Sequence, residues 1–350
     1  MTRIALVGTD LAPLRSSSGA LERAVLGWGR ALELTRPGWK VCPFEAPNGG
    51  AAPAGLSAWI RRFEPDLVVF NNRPLWSESV EGPVLHVLHN YPGAWSLGTI
   101  EEERIAAALE RGAVAVSPTL AREVSQRYHL APAVGEVRVE VEESYWGDLA
   151  SWRRGEPLVL FPNRLLEKKG VRLFLEIAGL LATSGLRCVM FAHTAPFPRP
   201  TPEQRDLLDA IAACSAVELL DPPLTRLEMA RWYARAGVVV CPSVEPEGLG
   251  MAALEAQAVG TPLVSSGLGG LRDATFPPNE IVGSMQASDW ADAIRAGLGR
   301  TPSAETREQV RLAHGREAAR ASFTSAVEQS LRSCPGASDR STGTMRAARR

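Results

Sequence analysis

Residues 238–260 read VVVCPSVEPEGLGMAALEAQAVG, and this stretch decides the fold that we expect for the chain. Its first four residues are apolar, which is typical of a short strand buried in a parallel sheet. A polar loop follows, and the Ala, Leu and Met residues after it predict a helix that ends at Gly260. Gly248, Leu249 and Gly250 open this helix, so its first backbone N–H groups can bind an anion such as phosphate.

Two carboxylates flank the start of the predicted helix. Glu247 lies just before it, and Glu255 lies about two turns inside it, roughly 12 Å further along the axis. One interpretation is that Glu247 is a favourable charge at a helix start and that Glu255 is a solvated helix residue. Glu255, however, stands between Leu254 and Ala256 in a helix with almost no other charge. A carboxylate in such surroundings needs a partner, for example a sugar hydroxyl.

A dinucleotide-binding fold is a competing interpretation of the same glycines. Residues 248–253 fit the pattern G-x-G-x-x-A. In the dinucleotide fingerprint the first Gly directly follows a strand, whereas residues 242–247 intervene here. The match is therefore weak.

The two glutamates and the residues after them resemble a family signature. A Glu-x7-Glu motif followed by Ala, Gly-Thr-Pro and Gly-Gly resembles the donor site of glycosyltransferase family 4, and the matching residues are Glu247, Glu255, Ala256, Gly260, Thr261, Pro262, Gly269 and Gly270. The resemblance implies a retaining enzyme of the GT-B architecture. This is an α/β fold in which two Rossmann-like domains with parallel sheets face each other across a cleft.

Four further positions fit the same resemblance. Arg164 and Lys169, which precedes a Gly, match an Arg-x4-Lys-Gly motif that contacts the donor diphosphate, where cations offset the charge growing on the leaving group. Ordinary surface charge is the alternative for both residues. His89 follows a predicted strand at residues 84–88, where the family has a His that faces the transferred sugar. Gly19 matches one glycine of a Gly-Gly-x-Glu loop.

The length of 350 residues predicts two domains. We expect an acceptor-side Rossmann-like domain at residues 1–150 and a donor-binding domain at 151–310. Residues 311–333 are predicted as a helix that returns to the first domain, and residues 334–350 as a disordered tail.

Composition excludes several classes of protein. The formal net charge is −1, without the basic excess of a nucleic-acid binder. No apolar run approaches the twenty residues of a membrane span. The five cysteines are odd in number and form no C-x-x-C motif, which predicts reduced thiols in a cytoplasmic protein.

Together the motifs predict transfer of a hexose-type sugar from a nucleoside diphosphate donor, with a UDP-sugar favoured, to a hydroxyl of a small soluble acceptor such as a sugar or cyclitol. By resemblance, Glu255 would hold the ribose, and Glu247 with the amides of residues 248–250 would hold the sugar and phosphate. We expect no cofactor and no metal. Two alternatives are a sugar-nucleotide epimerase or hydrolase on the same fold, and a catalytically silent partner subunit that binds sugar nucleotide.

Overall fold

The computed structural model describes residues 1–9, 20–46, 54–91, 99–147, 156–191, 200–220, 224–298, 300 and 303–333. The chain forms two compact units. The first comprises residues 1–138 and the chain from residue 319 onward, and the second comprises residues 139–318. None of the helices in the described residues is long and apolar enough to cross a membrane.

The first unit is a parallel sheet of six strands with helices between them. The sheet order is β2-β1-β3-β4-β5-β6, and every neighbouring pair is parallel. The elements are β1 Arg3–Thr9, α1 Ala20–Thr35, β2 Lys40–Ala46, α2 Leu56–Phe63, β3 Leu67–Asn71, β4 Val84–Leu88, α3 Thr99–Glu110, β5 Ala113–Ala115, α4 Pro118–Arg127 and β6 Gly135–Glu136. Strands β3 and β4 are buried along their whole length, as strands covered on both faces should be.

The second unit repeats this architecture. Its elements are β7 Glu156–Phe161, α5 Val171–Leu181, β8 Arg187–Phe191, α6 Pro202–Ala212, β9 Val217–Leu220, α7 Arg226–Arg235, β10 Ala236–Cys241, α8 Met251–Val259, β11 Leu263–Ser265, β12 Glu280–Ile281, α9 Ala287–Leu298 and α10 Ala304–His314. The sheet order is β12-β11-β10-β7-β8-β9, with all pairs parallel. The predicted α/β fold with two parallel sheets is confirmed.

The order of the second sheet reverses between β7 and β10. The chain leaves β7 toward β8 and β9 on one side, and it leaves β10 toward β11 and β12 on the other. Ligands of open α/β sheets bind at such a switch point, beyond the carboxyl ends of the strands. The loops that follow β7 and β10 carry the predicted site residues 164–170 and 247–250.

The alternation of apolar and polar residues at 137–141 predicts the last strand of the first domain, and this prediction is wrong, because β6 ends at Glu136. Val137, Val139 and Val141 are buried in alternation, which is the pattern that suggested a strand. The N–H of Val137 still donates to the carbonyl oxygen of Ala115 in β5 at 2.9 Å, but no strand continues beyond this bond. The N–H of Val141 donates to the carbonyl oxygen of His314 at 2.8 Å, so the end of a helix replaces the neighbouring strand.

The final helix, α11 Arg316–Arg332, follows α10 after a break at Gly315, whose backbone is extended. From Ala319 onward this helix belongs to the first unit. Phe323 stacks on Trp28 of α1 with ring centroids 4.7 Å apart, and Glu328 pairs with Arg36.

Candidate functional site

A backbone contact brings the loops after β7 and β10 together. Gly170 adopts a φ of +77°, and a Cβ added there would lie 1.9 Å from the carbonyl oxygen of Pro242. Only glycine permits this approach. The N–H of Val244 also donates to the carbonyl oxygen of Lys168 at 3.0 Å. These contacts place the short 3₁₀ turn at Glu167–Lys169 directly against the loop that carries Glu247.

Lys169 and Glu247 form an ion pair across the two loops. The Nζ of Lys169 donates to Oε2 of Glu247 at 2.6 Å, and the two side chains are only 15% and 11% exposed. The hydroxyl of Ser243, a fully buried residue, donates to Oε1 of the same carboxylate. Both oxygens of Glu247 are therefore held by charged or polar donors.

Further charged side chains lie next to this pair. Burial works to raise the pKa of Glu247, but Lys169 and the Ser243 hydroxyl outweigh it and lower the pKa, so the carboxylate is ionised. Burial and repulsion from Lys169 and Arg164 lower the pKa of Lys168, and attraction to Glu245 and Glu247 opposes this shift. The Arg164 side chain is exposed. The surface thus offers several cations to an anionic ligand, with carboxylates among them.

The start of α8 lies at the same place. Glu247 forms a parallel bridge with Gly269, and the N–H of Gly270 donates to the carbonyl oxygen of Glu247 at 2.6 Å. Gly250 precedes the helix with a φ of +97°, and a Cβ there would lie 2.6 Å from Cδ1 of Leu271. The predicted glycines 248, 250, 269 and 270 are thus brought together around the first turn of α8, while Leu249 is buried.

Glu255 is 7% exposed, and two side chains of α7 contact it. The hydroxyl of Tyr233 donates to Oε2 at 3.0 Å, and Nη1 of Arg226 lies 3.8 Å from Oε1. Sequence reasoning missed both residues. They are seven positions apart on α7 and therefore share a face of that helix, a spacing that could have identified them.

His89 lies in the first unit, directly after β4. The backbone N–H of His89 donates to Oδ1 of Asn72 at 3.3 Å, and the imidazole ring stacks on Trp28 with ring centroids 5.8 Å apart. Neither ring nitrogen makes a hydrogen bond with a described residue. Burial lowers the pKa of His89 from 6.5 to about 3, so the imidazole is neutral. His86, which lies within β4, is buried against Phe70.

The second unit therefore gathers most of the predicted site residues, namely Arg164, Lys169, Glu247, Gly248, Leu249, Gly250, Glu255, Gly269 and Gly270. His89 belongs to the first unit, and Gly19 lies outside the described residues. Ser117, before α4, caps that helix by accepting a hydrogen bond from the N–H of Leu120 at 3.2 Å.

Comparison with known proteins identifies the second unit. Residues 156–300 match the family model described as "Glycosyl transferases group 1". A D-inositol 3-phosphate glycosyltransferase of Arthrobacter sp. (strain FB24) is 34% identical over 142 residues, which are 39% of this chain and 33% of that protein. A protein of the same name from Geodermatophilus obscurus is 32% identical over 218 residues, or 57% of this chain and 48% of that protein. The chain thus matches a third to a half of the length of these relatives.

Solved structures extend the similarity to the fold of both units. Sucrose-phosphate synthase from Thermosynechococcus elongatus has a TM-score of 0.77 at 18% identity, covering 95% of this chain and all of that one. The Anabaena protein Alr3699/HepE, solved with UDP and glucose, has a TM-score of 0.70 at 12% identity, covering 94% of this chain and 100% of that one. Residues 156–300 therefore match the model of a group 1 glycosyltransferase domain, in agreement with the resemblance to family 4, and the chain has the GT-B fold of these solved structures.

Proposed function

We propose that the protein is a retaining glycosyltransferase that moves a hexose-type sugar from a nucleoside diphosphate to a hydroxyl acceptor. The observation that carries this proposal is the buried Lys169–Glu247 pair, with Arg164 nearby and the start of α8, which no side chain caps, next to it. This arrangement offers cations and backbone N–H groups to a diphosphate and a carboxylate to a neighbouring sugar.

Each residue has a role in this proposal. Arg164 and Lys169 neutralise the diphosphate as the glycosidic bond breaks. Glu247 and the amides of residues 248–250 bind the sugar and the phosphate beside it. Glu255 accepts hydrogen bonds from the ribose hydroxyls. His89, a neutral imidazole, can donate or accept one hydrogen bond to the sugar but carries no charge.

In this proposal donor binding opens the Lys169–Glu247 pair. Each oxygen of Glu247 accepts one hydrogen bond, from Lys169 and from Ser243, and the sugar competes for the position that Lys169 holds. When Lys169 turns to the diphosphate, a sugar hydroxyl replaces it on Glu247, so each charge exchanges one partner for another. The leaving phosphate itself takes the acceptor proton, and no separate base is required.

The donor that we favour is a UDP-sugar. Alr3699/HepE, which shares the fold, was solved with UDP and with UDP-glucose. The proposed acceptor is a small cyclitol or sugar, since the curated relatives act on an inositol phosphate according to their names. Transfer proceeds without a divalent metal, because Arg164, Lys169 and the helix start already supply positive charge.

The test is incubation with UDP-glucose and D-inositol 3-phosphate in excess EDTA, followed by proton NMR of the fresh product. We expect a product with the anomeric configuration of the donor. Arg172→Ala, a surface arginine of α5 paired with Glu167 and Asp206, is the control for loss of a cation. Loss of activity in EDTA that Mg²⁺ restores would overturn metal independence, and an inverted product would overturn retention.

The same assay separates the two alternatives. An epimerase or hydrolase would convert UDP-glucose without acceptor, giving an epimer or free sugar. A silent partner subunit would bind UDP-glucose without turnover on a broad panel of acceptors.

A further inference from the structure

Tyr233 is fully buried, and its hydroxyl contacts the carboxylate of Glu255, which we propose as a ligand-binding group. It lies on α7 with no exposed surface, and its hydroxyl donates to Oε2 of Glu255 at 3.0 Å. Burial and the charge of Glu255 raise the pKa of Tyr233 well above its usual value. The phenol therefore stays protonated and acts as a permanent donor to one oxygen of the carboxylate.

The Tyr233 side chain has little freedom to leave this position. The ring of Tyr145 meets it edge-on at a centroid distance of 5.9 Å and an interplanar angle of 76°. Its backbone carbonyl oxygen accepts a 2.6 Å hydrogen bond from the hydroxyl of Thr261, which follows the end of α8. The ring and the backbone are both fixed, so the hydroxyl defines where Oε2 of Glu255 can lie.

Arg226 stands on the other side of the carboxylate. Its Nη1 lies 3.8 Å from Oε1 of Glu255, and its Nε lies 3.5 Å from Oε1 of Glu142. Both distances allow charge attraction but are at or beyond the limit of a hydrogen bond. A carboxylate has about four acceptor positions, and the hydroxyl of Tyr233 takes one of them on Oε2. The contacts that α7 makes with the two oxygens therefore differ: a hydrogen bond from Tyr233 fixes Oε2, and a looser charge contact from Arg226 flanks Oε1.

We propose that Tyr233 is a positioning residue for Glu255. The hydroxyl of Tyr233 fixes Oε2 of Glu255 and so directs Oε1 to the ribose hydroxyls of the donor. The proposal rests on the ribose-binding role of Glu255 given above. Tyr233 does not touch the nucleotide. It sets how strongly the site distinguishes a ribonucleotide from one that lacks both ribose hydroxyls, because a carboxylate that rotates freely forms these two bonds less well.

The test is calorimetric binding of UDP and of 2′,3′-dideoxyuridine diphosphate to the full-length protein and to its Tyr233→Phe variant. We expect the wild-type protein to prefer UDP by at least tenfold. In Tyr233→Phe the affinity for UDP should fall about tenfold, while that for the dideoxy compound changes less than twofold. Activity should show the same division, with KM for the UDP-sugar raised and kcat nearly unchanged.

Tyr128→Phe is the matched control. Its hydroxyl is buried, hydrogen-bonds no described residue and lies in the first unit. Thermal unfolding of both variants checks that they are folded, and we expect Tyr128→Phe to bind both nucleotides like the wild-type protein.

Three results would overturn the proposal. Equal loss of affinity for the two nucleotides in Tyr233→Phe would mean that the hydroxyl only supports the fold. A wild-type protein that binds UDP without preferring it to the dideoxy compound would remove the ribose contact but leave the transferase proposal intact. A wild-type protein that binds neither UDP nor UDP-glucose would overturn both.

Discussion

Replacing Lys169 by Met removes one partner of the buried ion pair while keeping most of the volume of its side chain. The structure then leaves the Glu247 carboxylate, 11% exposed, with the hydroxyl of Ser243 as its remaining side-chain donor among the described residues. We expect Lys169→Met to destabilise the protein as well as to reduce activity, because a buried charge without its counter-ion is costly.

The size of the effect follows from the geometry of the pair. At 2.6 Å between Nζ and Oε2, an effective dielectric constant of about 20 gives an attraction of about 6 kcal/mol. Desolvation of the two groups offsets part of this energy, and breaking such pairs costs about 3–5 kcal/mol. We therefore expect Lys169→Met to lower the free energy of unfolding by about 3 kcal/mol at pH 7. The double variant Lys169→Met/Glu247→Gln should recover about 2 kcal/mol of that loss, since no charge is then left unpaired.

The loss should depend on pH. In the wild-type protein the pKa of Glu247 is lowered from 4.5, so the pair contributes stability above pH 4.5 and loses it as the pH falls through the folded-state pKa. Without Lys169, burial raises the pKa of Glu247, and the penalty of the variant disappears as the carboxyl is protonated. The difference in stability should thus be largest near pH 7 and clearly smaller at pH 4, where the carboxyl of the variant is protonated while the wild-type pair still loses its remaining stability at lower pH.

Urea unfolding followed by tryptophan fluorescence at pH 7, 5.5 and 4 measures this difference. Lys168→Met is the matched control, since Lys168 belongs to the same turn and pairs with no carboxylate of the described residues within 4.0 Å. A loss below 1 kcal/mol at pH 7, or a loss that stays constant with pH, would refute the reasoning.

Three other outcomes are expected. Arg164→Ala should lower kcat/KM about a hundredfold, which corresponds to about 3 kcal/mol of barrier. The free energy of unfolding should fall by less than about 1 kcal/mol, because the Arg164 side chain is exposed. Unchanged turnover would exclude a role at the diphosphate. Glu255→Gln should weaken calorimetric binding of UDP, while Glu247→Gln should spare that binding and impair sugar transfer; equal loss in both would contradict the separate roles. His89→Phe should make stability less sensitive to acid: the folded pKa is about 3 against 6.5 unfolded, so His89 costs about 2 kcal/mol between pH 7 and pH 5. If urea unfolding shows that His89→Phe is as sensitive to acid as the wild-type protein, then the ring of His89 takes up a proton in the folded state.

Much of the second unit could be predicted because its signals are local. The apolar run before Pro242 and the glycines before Met251 mark β10 and the start of α8 within one or two residues. The spacing of Arg164 and Lys169 placed both on one loop at the carboxyl end of β7. These features depend on neighbours in the chain, which a single sequence contains.

Contacts between distant residues could not be predicted in the same way. Lys169 and Glu247 were assigned separate partners, and only the approach of Gly170 to Pro242 shows that they bind each other. Glu255 was expected to need a sugar hydroxyl, and α7 supplies Tyr233. The valines at 137–141 alternate as a strand does, but alternation records burial and not the identity of the hydrogen-bond partner.

The close contact of Gly170 with Pro242 has a consequence for motion. Two backbones that touch without a side chain between them cannot slide independently, so the loops after β7 and β10 should fluctuate as one cooperative unit. Amide hydrogens in residues 164–170 and 243–250 should then exchange with solvent through a common opening event. A ligand that binds only one of the loops would then slow hydrogen exchange in both, so binding of the donor at either loop would stabilise the two loops together.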